Sequence, residues 1–98
     1  MIVEIERRLV ARLAPLSLVI DDESSQHIGH VGAQGGGHYR VRIVAARFAG
    51  LPRVARHRLV YDAVSDLMQS AVHALAIEAL TPDEAREEGS PPSPAVAA

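Results

Sequence analysis

The sequence predicts a small α+β domain: a three-stranded mixed sheet packed by helices, in the order helix, strand, strand, helix, strand. Three observations carry this. Apolar residues recur at helical spacing near the N-terminus and again over 53–69. In three other stretches they alternate at period two. A helical crossover separates the second and third of those stretches, and such a connection lets two strands run parallel.

Ile2, Ile5, Leu9 and Leu13 form one face of the first helix, which Pro15 stops. Leu16, Leu18 and Ile20 then alternate with Ser17, Val19 and Asp21, as in a strand with one buried face. Residues 23–37, ESSQHIGHVGAQGGG, read as a long glycine-rich loop, and long loops in small domains are usually functional or mobile. In the second strand Tyr39, Val41, Ile43 and Ala45 point to the core while Arg40 and Arg42 point to solvent. FAGLP (48–52) reads as a turn punctuated by Gly50 and Pro52. Arg53 to Gln69 reads as one helix burying Val60, Ala63, Val64 and Leu67. The last strand, AVHALAIEAL (71–80), places His73, Leu75, Ile77 and Ala79 on one face, with Val72, Ala74, Ala76 and Glu78 on the other. Residues 1–82 form a single domain in this reading, and 83–98 an acidic, proline-rich disordered tail.

Composition narrows the function. The chain has 98 residues, no cysteine, no tryptophan and one phenylalanine, so the core is expected to rest on Val, Leu, Ile and Ala. Absence of cysteine excludes a thiol nucleophile, a disulfide, and a cysteine-ligated metal held by this chain alone. No stretch approaches the roughly 18 apolar residues of a membrane span, and the N-terminus carries no signal-like apolar run; a soluble cytoplasmic protein is the expectation.

The net charge of −2 hides a segregation. Between His38 and Val60 there are six arginines and no acid, whereas residues 61–98 hold seven acids and one arginine. Arg40, Arg42, Arg47, Arg53, Arg56 and Arg58 are candidates for one positive surface that would bind phosphates without sequence preference and with steep salt dependence. The competing expectation is local pairing, for which Arg58 and Asp62 have i,i+4 spacing. A pI near 6.2 and the scarcity of aromatics speak against a dedicated nucleic-acid module.

RFAGLPRVARHRLVYDAVSDLM (47–68), VHALAIEALTPDE (72–84) and the loop HIGHVGAQGGGHYRVRI (27–43) together resemble BolA-like proteins over roughly residues 2–84. The resemblance implies a fold similar to a class II KH domain. It also implies partnership with a monothiol glutaredoxin in iron–sulfur cluster handling and, in some members, DNA-binding transcriptional regulation. By the same resemblance His73 matches the family's strand ligand to a 2Fe-2S cluster shared with glutaredoxin and glutathione. His27 or His30 is the loop ligand, with His30 favoured. The donor chemistry is compatible: histidine can replace cysteine on such a cluster, and this chain can offer imidazoles but no thiolate. His38 and His57 are weaker candidates. Gly50-Leu51-Pro52-Arg53 lacks the second glycine of a G-x-x-G loop, against KH-style RNA binding. No catalytic constellation stands out, and Gly35-Gly36-Gly37 lacks the Lys-Ser/Thr of a P-loop, so an enzyme is not expected.

Overall fold

Helix α1 spans Ile2–Leu13 in a computed structural model of the chain, which describes residues 1–24, 37–69 and 72–88, with the side chain of His73 outside that description. Ile5, Leu9 and Leu13, each four residues from the next, are its buried residues. Its end follows from Pro15: Ala14 takes a left-handed conformation (φ 46°), a place where glycine is usual, and its N–H reaches back to the Val10 carbonyl.

Strands β1 (Ser17–Asp22), β2 (Gly37–Val44) and β3 (Val72–Leu80) form one sheet in the order β1-β2-β3. β1 runs antiparallel to β2, with Ser17 opposite Val44 and Asp22 opposite Tyr39; β3 runs parallel to β2. Both orientations agree with the sequence expectation. Leu16 does not: it lies outside β1 and is exposed, and the first strand residue, Ser17, is the buried one.

Tyr39, Val41, Ile43 and Ala45 are buried in a single core with Ile5, Leu9 and Leu13 of α1. On the same face lie Val60 and Ala63 of α2 (Arg53–Ala63) and Leu67 of α3 (Ser65–Met68). The other face of the sheet is largely open, with Arg40, Ala76 and Glu78 exposed. Gly50, at φ 77°, turns the chain into α2 with open space around it, a conformation that costs a residue with a Cβ more than it costs glycine.

Four expectations need correction. Phe48 is not merely a turn residue: it closes a 3-10 turn (Ala46–Phe48) and is the largest fully buried side chain, so the core is not purely aliphatic. The single helix over 53–69 is broken at Val64, a β-branched residue at φ −120°, ψ 21°. Val64 itself stays fully buried, so the break redirects the backbone without losing the apolar face. The uninterrupted alternation expected in the third strand fails at His73. Gly37 pairs with Val72 and His38 with Ala74, which leaves His73 as an extra residue in β3, a bulge. The bulge changes the parity of the strand, and Val72 and Leu75, three residues apart, are both buried in the core. Finally, the tail expected to begin at 83 is helical at its start: α4 spans Pro82–Glu87 and buries Ala85. Residues 89–98 lie outside the described residues, as do the loop histidines His27 and His30.

Phe48 is fully buried in the same core as residues of α1, β2 and α2. Phe48→Ala is expected to cost about 3–5 kcal/mol, read as a lowered urea midpoint at unchanged slope.

Candidate metal-ligand end and arginine cluster

Parallel pairing gives the sheet two chemically different ends. β2 and β3 start at the same end, where β1 finishes. Here the chain leaves β1 through Ser24 and returns at Gly37, so both ends of the stretch carrying His27 and His30 are anchored at this edge of the sheet. The anchoring is specific. The His38 N–H donates to Ser24 Oγ at 2.9 Å, and the Glu23 N–H donates to the His38 carbonyl at 2.7 Å. The Ser24 N–H donates to Asp22 Oδ1 at 2.9 Å, and such bonds from Ser24 hold the Asp22 carboxyl below its ordinary range.

Gly37 is the partner of Val72, immediately before His73. A Cβ at Gly37 would collide with the Tyr39 ring, so glycine is what allows the buried tyrosine to fold back over the strand start. Burial raises the Tyr39 phenol above its ordinary range, with the charge of Asp22 adding to the effect. On the other side of β3, Tyr61 of α2 donates its hydroxyl to the Leu75 carbonyl at 3.0 Å, tying the strand to α2 two residues beyond His73. The backbone of His73 and the borders of the His27/His30 stretch therefore converge at one end of the sheet. Among the described residues no group of three or more His, Cys, Asp or Glu is placed to hold a metal ion.

The opposite end belongs to the arginines. Arg56 Nε donates to the Leu51 carbonyl at 2.8 Å, and its Nη1 to the Ala79 carbonyl at 3.1 Å. The two terminal nitrogens also grip both carboxylate oxygens of Glu84, at 2.6 and 3.0 Å. Glu84 serves twice: with Thr81 it forms the capping box that starts α4, the Thr81 N–H donating to Glu84 Oε1 at 2.9 Å and the Glu84 N–H to Thr81 Oγ1 at 3.1 Å. Arg56 first, then the Thr81 N–H, lower the Glu84 carboxyl to about 2.

The six candidate arginines do not make one surface. Arg40 and Arg42 project from the face of the sheet opposite α2, because the residues between them point into the core. Arg40 pairs with Glu23 at 2.9 Å, and Arg42 with Glu78 at 3.3 Å and Glu88 at 2.8 Å. The expected local pair of Arg58 and Asp62 is not among the ion pairs of the described residues; the strong pair on α2 is instead Arg56 with Glu84, far away in sequence. Arg47, Arg53 and Arg58 are exposed and make no ion pair with any described residue. A cavity of about 710 Å³ lies between the first turns of α2, the outer edge of β3 and α4, with Arg53, Arg56 and His57 on one wall and Glu84, Glu87 and Glu88 on another. Sequence reasoning missed Ser24, Glu84 and Glu88. The signal for Glu84 was there, as Thr81-Pro82-Asp83-Glu84 fits a capping box.

The model of the family described as BolA-like protein matches residues 9–84. The chain belongs to the BolA-like family. An uncharacterised Sinorhizobium protein is 45% identical over 83 residues, which cover 82% of this chain and 89% of that one. The DNA-binding transcriptional regulator BolA of Vibrio cholerae is 39% identical over 92 residues, covering 92% and 85%. The solved BolA domain of SufE1 from Arabidopsis thaliana superposes with a TM-score of 0.74 at 43% identity, covering 84% of this chain and 92% of that domain. Some BolA-like relatives are much longer: the chain spans 23% of the chloroplastic/mitochondrial SufE-like protein 1 of Arabidopsis and 51% of its chloroplastic BOLA1. The family match ends at Glu84, the residue that grips Arg56. Among the described residues no helix of this BolA-like chain is long and apolar enough to cross a membrane.

Because the folded-state value of Glu84 is depressed, its contribution to stability is present above its ordinary value of 4.5 and is lost as pH falls through about 2. Glu84→Gln is expected to be less stable than the native chain at neutral pH and to lose less stability between these limits, as measured by urea denaturation across the acid range. Equal acid limbs would show that the pair does not couple to folding.

Proposed function

We propose that this BolA-like protein is a non-enzymatic partner of a monothiol glutaredoxin. In this reading it contributes His73 and one loop histidine, His30 before His27, to a 2Fe-2S cluster shared with the glutaredoxin and glutathione, in the assembly or trafficking of iron–sulfur clusters or in iron regulation. The observation that carries this reading is the convergence at one sheet end of the bulged backbone at His73 and the two anchored borders of the segment holding His27 and His30. Bulges recur next to functional sites, where they re-aim a side chain. The absence of cysteine supports a supporting role: this chain supplies imidazole while thiolates come from the partner. When bound, such a cluster supplies a transferable iron–sulfur unit whose potential is raised by histidine ligation. The chain's own part is to hold neutral imidazole at a fixed place beside a bonded sheet end.

Mixing the protein with cluster-loaded glutaredoxin tests this. A heterocomplex with altered visible absorption and circular dichroism is expected, and His73→Ala is expected to change that spectrum while far-UV dichroism stays native. A spectrum identical to that of glutaredoxin alone would sink the reading. An unchanged spectrum with His73→Ala would remove His73 from the ligand set.

A second reading, DNA-binding transcriptional regulation, is favoured by two observations. The Vibrio cholerae relative carries that description, and Arg47, Arg53 and Arg58 are exposed without acidic partners among the described residues. Binding of duplex DNA should appear at low salt and fall steeply as salt rises. Replacing Arg53 and Arg58 by alanine should reduce the log–log salt slope by about 2. Absence of binding at low salt excludes this reading.

A further inference from the structure

We propose that α4 is an internal mask over a phosphate-binding surface: Glu84 and Glu88 occupy the guanidinium groups of Arg56 and Arg42 that the backbone of duplex DNA takes up when α4 is displaced. The proposal rests on the DNA-binding reading and adds its regulation.

The geometry at Arg56 is that of an anion receptor already loaded. Its Nε and one Nη1 bond go to the backbone carbonyls of Leu51 and Ala79, and neither depends on α4. Those two bonds hold the guanidinium in place. The remaining donors meet both oxygens of Glu84 side by side, the fork-to-fork arrangement that guanidinium also makes with phosphate. Removing the carboxylate leaves a pre-oriented donor pair, one helical turn from the exposed Arg53 and on the wall of the 710 Å³ cavity. Arg42 makes a single bond to Glu88 at the end of the same segment and also pairs with Glu78 of β3, which does not belong to α4. Residues 82–88 carry four acids, and their one arginine, Arg86, pairs with Asp83 inside the helix. The segment therefore presents concentrated negative charge to two arginines from different layers of the fold.

The mask is built to be weak. α4 has six residues and buries only Ala85; a helix so short has little stability of its own. Glu84 is shared between the ion pair and the capping box, so breaking its bonds to Arg56 also loosens the start of the helix. A polyanion competes for Arg56 and gains the exposed Arg53 on the same cavity wall in the same act, whereas Glu84 offers a single carboxylate.

Anisotropy titrations of labelled duplex DNA with the full-length chain, at about 50 and 200 mM salt, test the mask. Glu84→Gln combined with Glu88→Gln is expected to bind roughly tenfold more tightly at the lower salt, with a log–log slope steeper by about 1 for the freed Arg56. Glu88→Gln alone, which keeps the capping box and leaves Glu78 on Arg42, should tighten binding at the lower salt by less than the double variant. Glu87→Gln is the charge control, because Glu87 pairs with no arginine among the described residues; it should leave the slope as it is. Native-like binding by both Glu84 and Glu88 variants overturns the mask and leaves the DNA reading intact. An equal gain from Glu87→Gln reduces the effect to net charge and overturns it too. Failure of every form to bind DNA overturns both. Should the double variant unfold, Glu88→Gln decides alone.

Discussion

Parallel pairing of β2 with β3 is the constraint on which the molecule's layout depends. A parallel pair cannot be joined by a tight turn, so the chain must cross over through a helix, and α2 and α3 are that crossover. The same pairing brings both strand starts to one end of the sheet and both strand finishes to the other. The borders of the histidine-bearing stretch and the backbone at His73 therefore lie at one end, and the 3-10 turn, the start of α2 and α4 lie at the other. Antiparallel packing of β3 would separate Gly37 from Val72 and bring His73 to the arginine end.

Each end is stabilised by a different kind of bond. Around β2's start the work is done by the His38 backbone, whose N–H donates to Ser24 Oγ and whose carbonyl accepts from the Glu23 N–H, together with the Tyr39 ring over Gly37. Charge-assisted bonds dominate the other end, with Arg56 satisfying two carbonyls and one carboxylate simultaneously. Its side chain is 13% exposed and that of Glu84 41%, so solvent screens the pair from the carboxylate side. Among the described residues no buried side-chain nitrogen or oxygen lacks a hydrogen-bond partner. The polar groups near the core are thus committed, and among the described residues exposed Arg12, Arg47, Arg53 and Arg58 make no ion pair.

Membership of the BolA-like family and the two-ended layout bear on each other. The family match covers both ends, from α1 to Glu84. The proposed cluster partnership draws on the histidine end and the regulatory reading on the arginine end.

The sequence by itself determined the element order, the strand orientations and the core face of β2, because side-chain periodicity and connection length encode them directly. It also exposed the six-arginine run and the five histidines. Three-dimensional structure decided which of those charges are available. Arg40 and Arg42 face away from the core as alternation predicts, but their partners Glu23, Glu78 and Glu88 come from other elements, and Arg56 finds Glu84 rather than an acid on its own helix. Local spacing ranks neighbours along one element, while ion pairs such as these join elements that only the packed sheet brings together. The bulge at His73 belongs with them: it is set by how β3 registers against β2, and one extra residue there brings Val72 to the core while Leu75, Ile77 and Ala79 keep the face that alternation assigns.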